Sequence, residues 1–310
     1  VSPATKRLLP YLSLVCATLL WSSSFIALKV AFRVYDPMVV IFGRLFVATL
    51  FILIVLKPLR NLRFRKGDLK YLVFMGLCEP GLYFLFEATA LEYTSASQAG
   101  MITGTLPLIV GIAAWIFLKE TLNIRTILGF MLALVGIALL SGSSEITANA
   151  PDPLFGNFME FLAMVAATGY IISLKKLSDR YSSLFLTTFQ AFFGTLFYFP
   201  ILFLPTTQSP TVMNPLSAFA IVYLGVFVTF GAYGSYNYGV SQVPASQATA
   251  FINLIPVFTV IMGVLILDDR LTMIQYGAVA VVFTGIYLSQ TKQKPALVTG
   301  IPTAGAGDSS

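Results

Sequence analysis

Apolar side chains run along this chain in long blocks, each closed by proline, glycine or a cluster of charge. A helix rises 1.5 Å per residue, so roughly 20 apolar residues cross the hydrocarbon core of a bilayer. The blocks predict ten spanning helices, at about 9–32, 37–57, 69–91, 97–118, 124–142, 155–176, 184–204, 216–240, 245–267 and 271–290. Short connectors make neighbouring helices antiparallel hairpins. The expected fold class is therefore an all-α integral membrane protein. Residues 1–8 form an N-terminal lead, 143–154 a linker and 291–310 a tail whose Pro295, Gly300, Pro302, Gly305 and Gly307 favour no fold. Leu8 to Phe32 is too long for a cleaved signal peptide and reads as the first span.

Charge sets a direction. With both termini cytoplasmic, fifteen of the 19 basic residues fall on the inner side, including Lys6, Arg7, Lys57, Arg60, Arg63, Arg65, Lys66, Lys119, Lys175 and Lys176. Lys29, Arg33 and Arg270 lie outside, and Arg44 lies within a span. This is the bias expected of a multi-pass protein of the cell inner membrane. The net charge of +6 is thus a property of loops and not a nucleic-acid footprint.

Composition narrows the chemistry. Hydrophobic residues make up 57% and charged residues 10%, against about 25% charged in soluble domains, which excludes an ordinary soluble enzyme. Cys16 and Cys78 both sit in apolar runs and imply no disulfide framework. Histidine is absent, which removes Ser-His-Asp catalysis and His-zinc sites and leaves carboxylates for any proton relay. No metal or cofactor is called for.

The chain also repeats itself. Ser95–Ile137 aligns without gaps to Pro244–Ile286 at a shift of 149, matching Ala96/Ala245, Ser97/Ser246, Gln98/Gln247, Pro107/Pro256 and Gly136/Gly285, with Glu120 facing Asp269. Phe46-x-x-Thr49-Leu50-Phe51 matches Phe192-x-x-Thr195-Leu196-Phe197 at a shift of 146. Each copy, 9–142 and 155–290, holds five predicted helices. Five is odd, so the second copy enters the bilayer from the opposite face, a 5+5 inverted-topology repeat of the kind used by secondary transporters.

These features carry a resemblance. The 5+5 repeat, LLWSSSFIALK in the first helix, Arg44 in the second, and LEYTSASQAG before a proline-bearing fourth helix resemble the drug/metabolite transporter superfamily, specifically EamA-type exporters. The resemblance spans about residues 8–290. It implies a central cavity formed by helices 1–4 and 6–9, with helices 5 and 10 peripheral, and export of small metabolites such as amino acids.

Charge at membrane depth is costly and marks function. Glu79 lies ~13 Å into the third helix, near the midplane. Glu87 and Arg44 share an outer level and form a gate or a structural ion pair, whereas Glu79 lacks a cationic neighbour. Glu79, Tyr83 and Glu87, four apart, project to one face. Pro80 frees a backbone carbonyl that a cavity can use. Glu79 is assigned to a substrate amine, a coupling proton or both in turn, and Glu87 shares the proton role.

The second copy carries Gln190 in place of Arg44 and Tyr236 in place of Glu87, and reads as lacking the membrane charges of the first. It offers Tyr233, Tyr236, Asn237 and Asn253, with Tyr238 as substrate contact or interfacial belt. Trp21, Ser24 and Tyr170 complete the expected substrate lining, with Ser22, Ser23 and Ser173 as further members or packing residues. Ser97-Gln98 and Ser246-Gln247 cap helix starts or form gates. Pro107 and Pro256 remove the same helix hydrogen bond in each half and are the expected hinges. Gly129, Gly136, Gly277 and Gly285 fit close packing within a monomer or across a homodimer.

An acidic half facing an aromatic, amide-bearing half suits a small zwitterion exported in exchange with protons. The alternative substrate is an organic cation such as a quaternary amine. A different class, an intramembrane transferase using Asp268 and Asp269 with a metal, lacks a third ligand, and a channel lacks a filter motif.

Overall fold

The computed structural model describes residues 3–55, 67–118, 124–143, 146–243, 248 and 251–289. The tail 291–310, the basic stretch 56–66, Glu120 and Ser246-Gln247 lie outside the described residues. Among the described residues the chain is helical, and its one β-type pairing is the bridge Thr147–Ala150.

Among the described residues ten apolar helical segments follow in order: α1 (Pro3–Phe32), α2 (Pro37–Val55), α3 (Leu69–Tyr93), α4 (Ala96–Phe117), α5 (Ile124–Gly142), α6 (Pro153–Ser178), α7 (Ser183–Phe203), α8 (Pro215–Gln242), α9 (Leu254–Leu267) and α10 (Met273–Ser289). Seven, α1–α4 and α6–α8, are long and apolar enough to cross a membrane. The apolar stretches of α5, α9 and α10 are shorter. Most of the expected beginning of α9, at 245–250, lies outside the described residues.

Local chemistry starts the helices. Asp36-Pro37, Asp152-Pro153 and Asn214-Pro215 each place an oxygen-bearing cap before a proline. Proline suits the first helical position because the N–H it lacks would be unpaired there. The caps accept from Met38 N at 2.8 Å, Phe155 N at 3.2 Å and Ser217 N at 3.1 Å. At α4 the cap is Ser95, which accepts from Gln98 N at 3.2 Å. The capping role considered for Ser97-Gln98 thus belongs two residues earlier, because Ser97 is used elsewhere.

Close packing then fixes neighbours. A Cβ on Gly136 would come within 2.6 Å of Val282, and one on Gly285 within 2.5 Å of the Gly129 carbonyl, so α5 and α10 pack against each other inside one chain. Gly277 has open space around it. Gly156 lets α6 approach Thr94 and the Ala90 carbonyl at the end of α3. The main core of buried apolar residues runs through α1–α4 and α6–α9 and surrounds a central cavity.

Candidate substrate cavity

The cavity is lined from α1 (Trp21, Ser24, Phe25), α2 (Arg44), α3 (Glu79, Tyr83, Phe84, Glu87), α4 (Thr103, Leu106), α6, α8 (Tyr233, Tyr236), α9 (Ile255) and the approach to it (Ile252). α5 and α10 contribute nothing to it. Neither does α7, which the resemblance had included. Its volume is about 40 Å³. One water needs roughly 10–15 Å³ on this measure, so the cavity holds a few waters and is too narrow for a metabolite.

Its acidic wall is built by a break in α3. The helix loosens over Leu77–Leu82, and Glu79 is extended (φ −151°, ψ 118°) ahead of Pro80, which has no N–H to continue the ladder. The carbonyls left over are taken by α7: Gln190 Nε2 donates to Glu79 O at 3.4 Å, and Tyr198 Oη to Gly81 O at 2.6 Å. The cavity was the expected user of a freed carbonyl. These side chains take that place because an unpaired carbonyl in an apolar core is costly.

Glu79 is 4% exposed, and its carboxylate accepts a short hydrogen bond from the Tyr233 hydroxyl on α8. Arg44 and Glu87 meet at 3.9 Å, both buried. Glu87 also accepts from Tyr83 Oη at 2.9 Å. Arg44 donates through Nε to Thr229 Oγ1 at 3.0 Å and lies 4.3 Å from the centre of the Phe84 ring. Opposite stands an aromatic wall. Trp21 packs edge-on to Tyr233 with centroids 5.3 Å apart and against Tyr236 at 4.8 Å. Four lining residues keep a buried polar atom without a hydrogen-bond partner: Trp21 Nε1, Arg44 Nη1, Glu87 Oε2 and Tyr236 Oη. The lining thus presents two N–H donors, a hydroxyl and a carboxylate oxygen, of which Arg44 Nη1 and Glu87 Oε2 face each other across the 3.9 Å ion pair.

Not every expected residue belongs to this lining. Asn237 is saturated beneath it, accepting from Tyr170 Oη at 2.7 Å and donating to Thr187 at 2.8 Å and Gln190 at 3.1 Å. Asn237 therefore positions Tyr170, which does line the cavity. Asn253 marks the turn before α9 and is also outside the lining. Ser24 lines the cavity, but its hydroxyl donates to the Trp21 carbonyl at 2.6 Å. Ser22 is spent on Thr18 O at 2.7 Å and Ser23 on Tyr223 at 2.6 Å. Ser173 is buried away from the cavity, and Tyr238 is half-buried.

The prolines do not cut regular helices. α4 tightens into a 3-10 turn at Thr103–Thr105, and Pro107 is the second residue of the helix that resumes at Leu106. Pro256 is the third residue of α9. Both sit in a first turn, where no intrahelical partner exists for the missing N–H. Asp269 is spent on α4, accepting from Ser97 N at 3.0 Å and Ser97 Oγ at 2.6 Å. No group of three metal-binding side chains occurs among the described residues.

The second half has no counterparts of Arg44 and Glu87, with Gln190 and Tyr236 in their places, but it carries a buried carboxylate of its own. Glu160 on α6 is fully buried, and neither of its oxygens has a hydrogen-bond partner among the described residues. Its signal was plain in the sequence: a lone carboxylate inside the apolar run 155–176.

The model of the EamA-like transporter family matches residues 8–142 and 154–291. The chain belongs to the EamA-like transporter family. An EamA-like protein is a transporter and not an enzyme, which sets aside a transferase using Asp268 and Asp269. Among relatives of this EamA-like chain, the uncharacterized transporter YetK of Bacillus subtilis (strain 168) is 31% identical over 219 residues, spanning 68% of this chain and 66% of that protein. A probable terminal-alkyne amino-acid exporter of Streptantibioticus cattleyicolor is 26% identical over 248 residues, 79% of this chain and 80% of that one. A crystal structure shares the fold at a TM-score of 0.64 with 18% identity, over 91% of this chain and 98% of the other. The EamA-like chain is thus a multi-pass membrane transporter of small molecules.

Proposed function

We propose that this transporter exports small amino-acid-like zwitterions in exchange with protons, by alternating access of two five-helix repeats of opposite topology. Ten spans, both termini in the cytoplasm and an inner-membrane location complete the reading, with Pro107 and Pro256 as hinges. The observation that carries the substrate class is the mixed charge of the lining: Glu79 and Glu87 face Arg44 across one cavity, and Arg44 Nη1, Trp21 Nε1 and Tyr236 Oη are unsatisfied. A carboxylate answers those donors, and an ammonium answers Glu79. The Tyr233 hydroxyl, which donates to Glu79, is the contact that the ammonium replaces. The similarity to an amino-acid exporter agrees with this class.

The test is counterflow of radiolabelled L-amino acids in proteoliposomes. Glu79→Gln replaces a charge-assisted contact by a neutral one and is expected to raise KM about 10–100-fold. Undiminished proton-driven flux in that variant removes the assignment. The aromatic wall of Trp21, Tyr233 and Tyr236 also favours a second reading, transport of an organic cation. Competition decides: tetraalkylammonium ions that block counterflow better than zwitterions do would establish it, and Arg44 in the lining argues for the opposite result.

A further inference from the structure

Three carboxylates in this part of the bundle are buried, Glu79, Glu87 and Glu160, and one guanidinium, Arg44, forms an ion pair with one of them, Glu87, among the described residues. Glu79 is held by Tyr233, and Glu87 by Tyr83 and Arg44. Glu160 has no hydrogen-bond or ion-pair partner among the described residues. Seven residues into α6, it sits ~10 Å from the start of that helix. Arg44 is the same number of residues into α2, at a matching depth.

Of the elements packed against α6 here, α3 supplies the titratable groups that act on Glu160, namely Glu87 and Tyr83. α4 supplies the Gln98 amide, which accepts at 3.0 Å from Asn157, three residues before Glu160 on α6. No lysine or arginine among the described residues forms an ion pair with Glu160. An ionised carboxylate without cation, donor or solvent in an apolar core is costly, and none of the described side chains supplies the compensating charge. Glu160 does not line the cavity, which keeps it out of contact with a substrate ammonium there.

We propose that Glu160 is the resting site of the coupling proton. Arg44 is committed to Glu87, and a proton on Glu160 supplies the second positive charge of the cluster. When the site unloads, that proton passes to the carboxylate of Glu87, which lines the cavity, and from there to water. Glu160 is left ionised until a proton returns by the same route. The inference rests on the proton-exchange reading above and adds a carboxylate from the second half of the chain.

Infrared difference spectroscopy of the full-length protein in lipid nanodiscs tests it without a known substrate. Between acidic and alkaline buffer, the wild type is expected to gain and lose the stretch of a protonated buried carboxyl. Glu160→Gln should lack that one carboxyl's share of the band, and Glu160→Asp should restore it at a shifted position. A band unchanged in Glu160→Gln overturns the proposal, as does a wild type with no such band. In proteoliposomes, accumulation of a radiolabelled mixture of L-amino acids driven by a pH gradient should fall to background in Glu160→Gln, while equilibrium exchange persists. Gradient-driven accumulation equal to wild type overturns it as well. A wild type that exchanges no amino acid refutes the substrate class proposed above, while the infrared band still decides Glu160.

Discussion

Arg44 serves Glu87, Thr229 and the face of Phe84 at once, from a position only 1% exposed. A planar, forked guanidinium can meet three partners in different directions, whereas an ammonium on a flexible stem cannot. Removing one member of a buried pair leaves the other charge uncompensated, at about 3–5 kcal/mol. Arg44→Ala should therefore lower stability by about that amount in a thermal unfolding series, and Arg44→Lys should recover little of it. Adding Glu87→Gln to Arg44→Ala should restore part of the loss, because the orphaned charge is gone. The meeting of Arg44 and Glu87 was foreseeable from counting rises along two helices. The saturation of Asn237 was not, since its partners Tyr170, Thr187 and Gln190 come from two other helices.

The break in α3 depends on α7 in two ways. Gln190 and Tyr198 take the carbonyls of Glu79 and Gly81, and Gly194 leaves room for the proline ring, since a Cβ there would lie 2.5 Å from Pro80 Cγ and 2.9 Å from Leu45. Gly194→Leu should overpack this contact and cost about 1–3 kcal/mol. It should also displace Glu79, so that counterflow falls further than the loss of folded protein explains. Apolar runs and the cap-proline pairs made the helices readable, because both signals are local. The loosened turn of α3 and the 3-10 turn of α4 were not readable. The first is settled by donors more than 100 positions away, such as Gln190 for Glu79. Proline marked the place at Pro80. At Pro107 and Pro256 it marked the start of a resumed helix, which a sequence alone does not distinguish from a cut.

Both ends of the bundle are tied. Where α3 finishes, Asp269 holds Ser97 at the start of α4, and Lys29 Nζ donates to Asn149 O at 2.7 Å. Where α3 begins, Asp68 accepts from Arg180 Nη1 at 2.5 Å and Tyr181 Oη at 3.2 Å, and Lys175 caps the Val240 and Val243 carbonyls at the end of α8. With ties at both ends and about 40 Å³ between them, this is a contracted arrangement that must widen before a zwitterion fits. The surplus of carboxylates over guanidinium has one more outcome, an electrical one. A zwitterion adds no net charge to the cluster, whereas a proton adds one, so each turn of the proposed exchange carries current. One elementary charge crossing the membrane is worth about 2.3 kcal/mol per 100 mV. Export should therefore quicken or slow with an imposed voltage even at equal pH, as potassium and valinomycin clamps would record, and a cycle blind to voltage would mean that the proton does not cross.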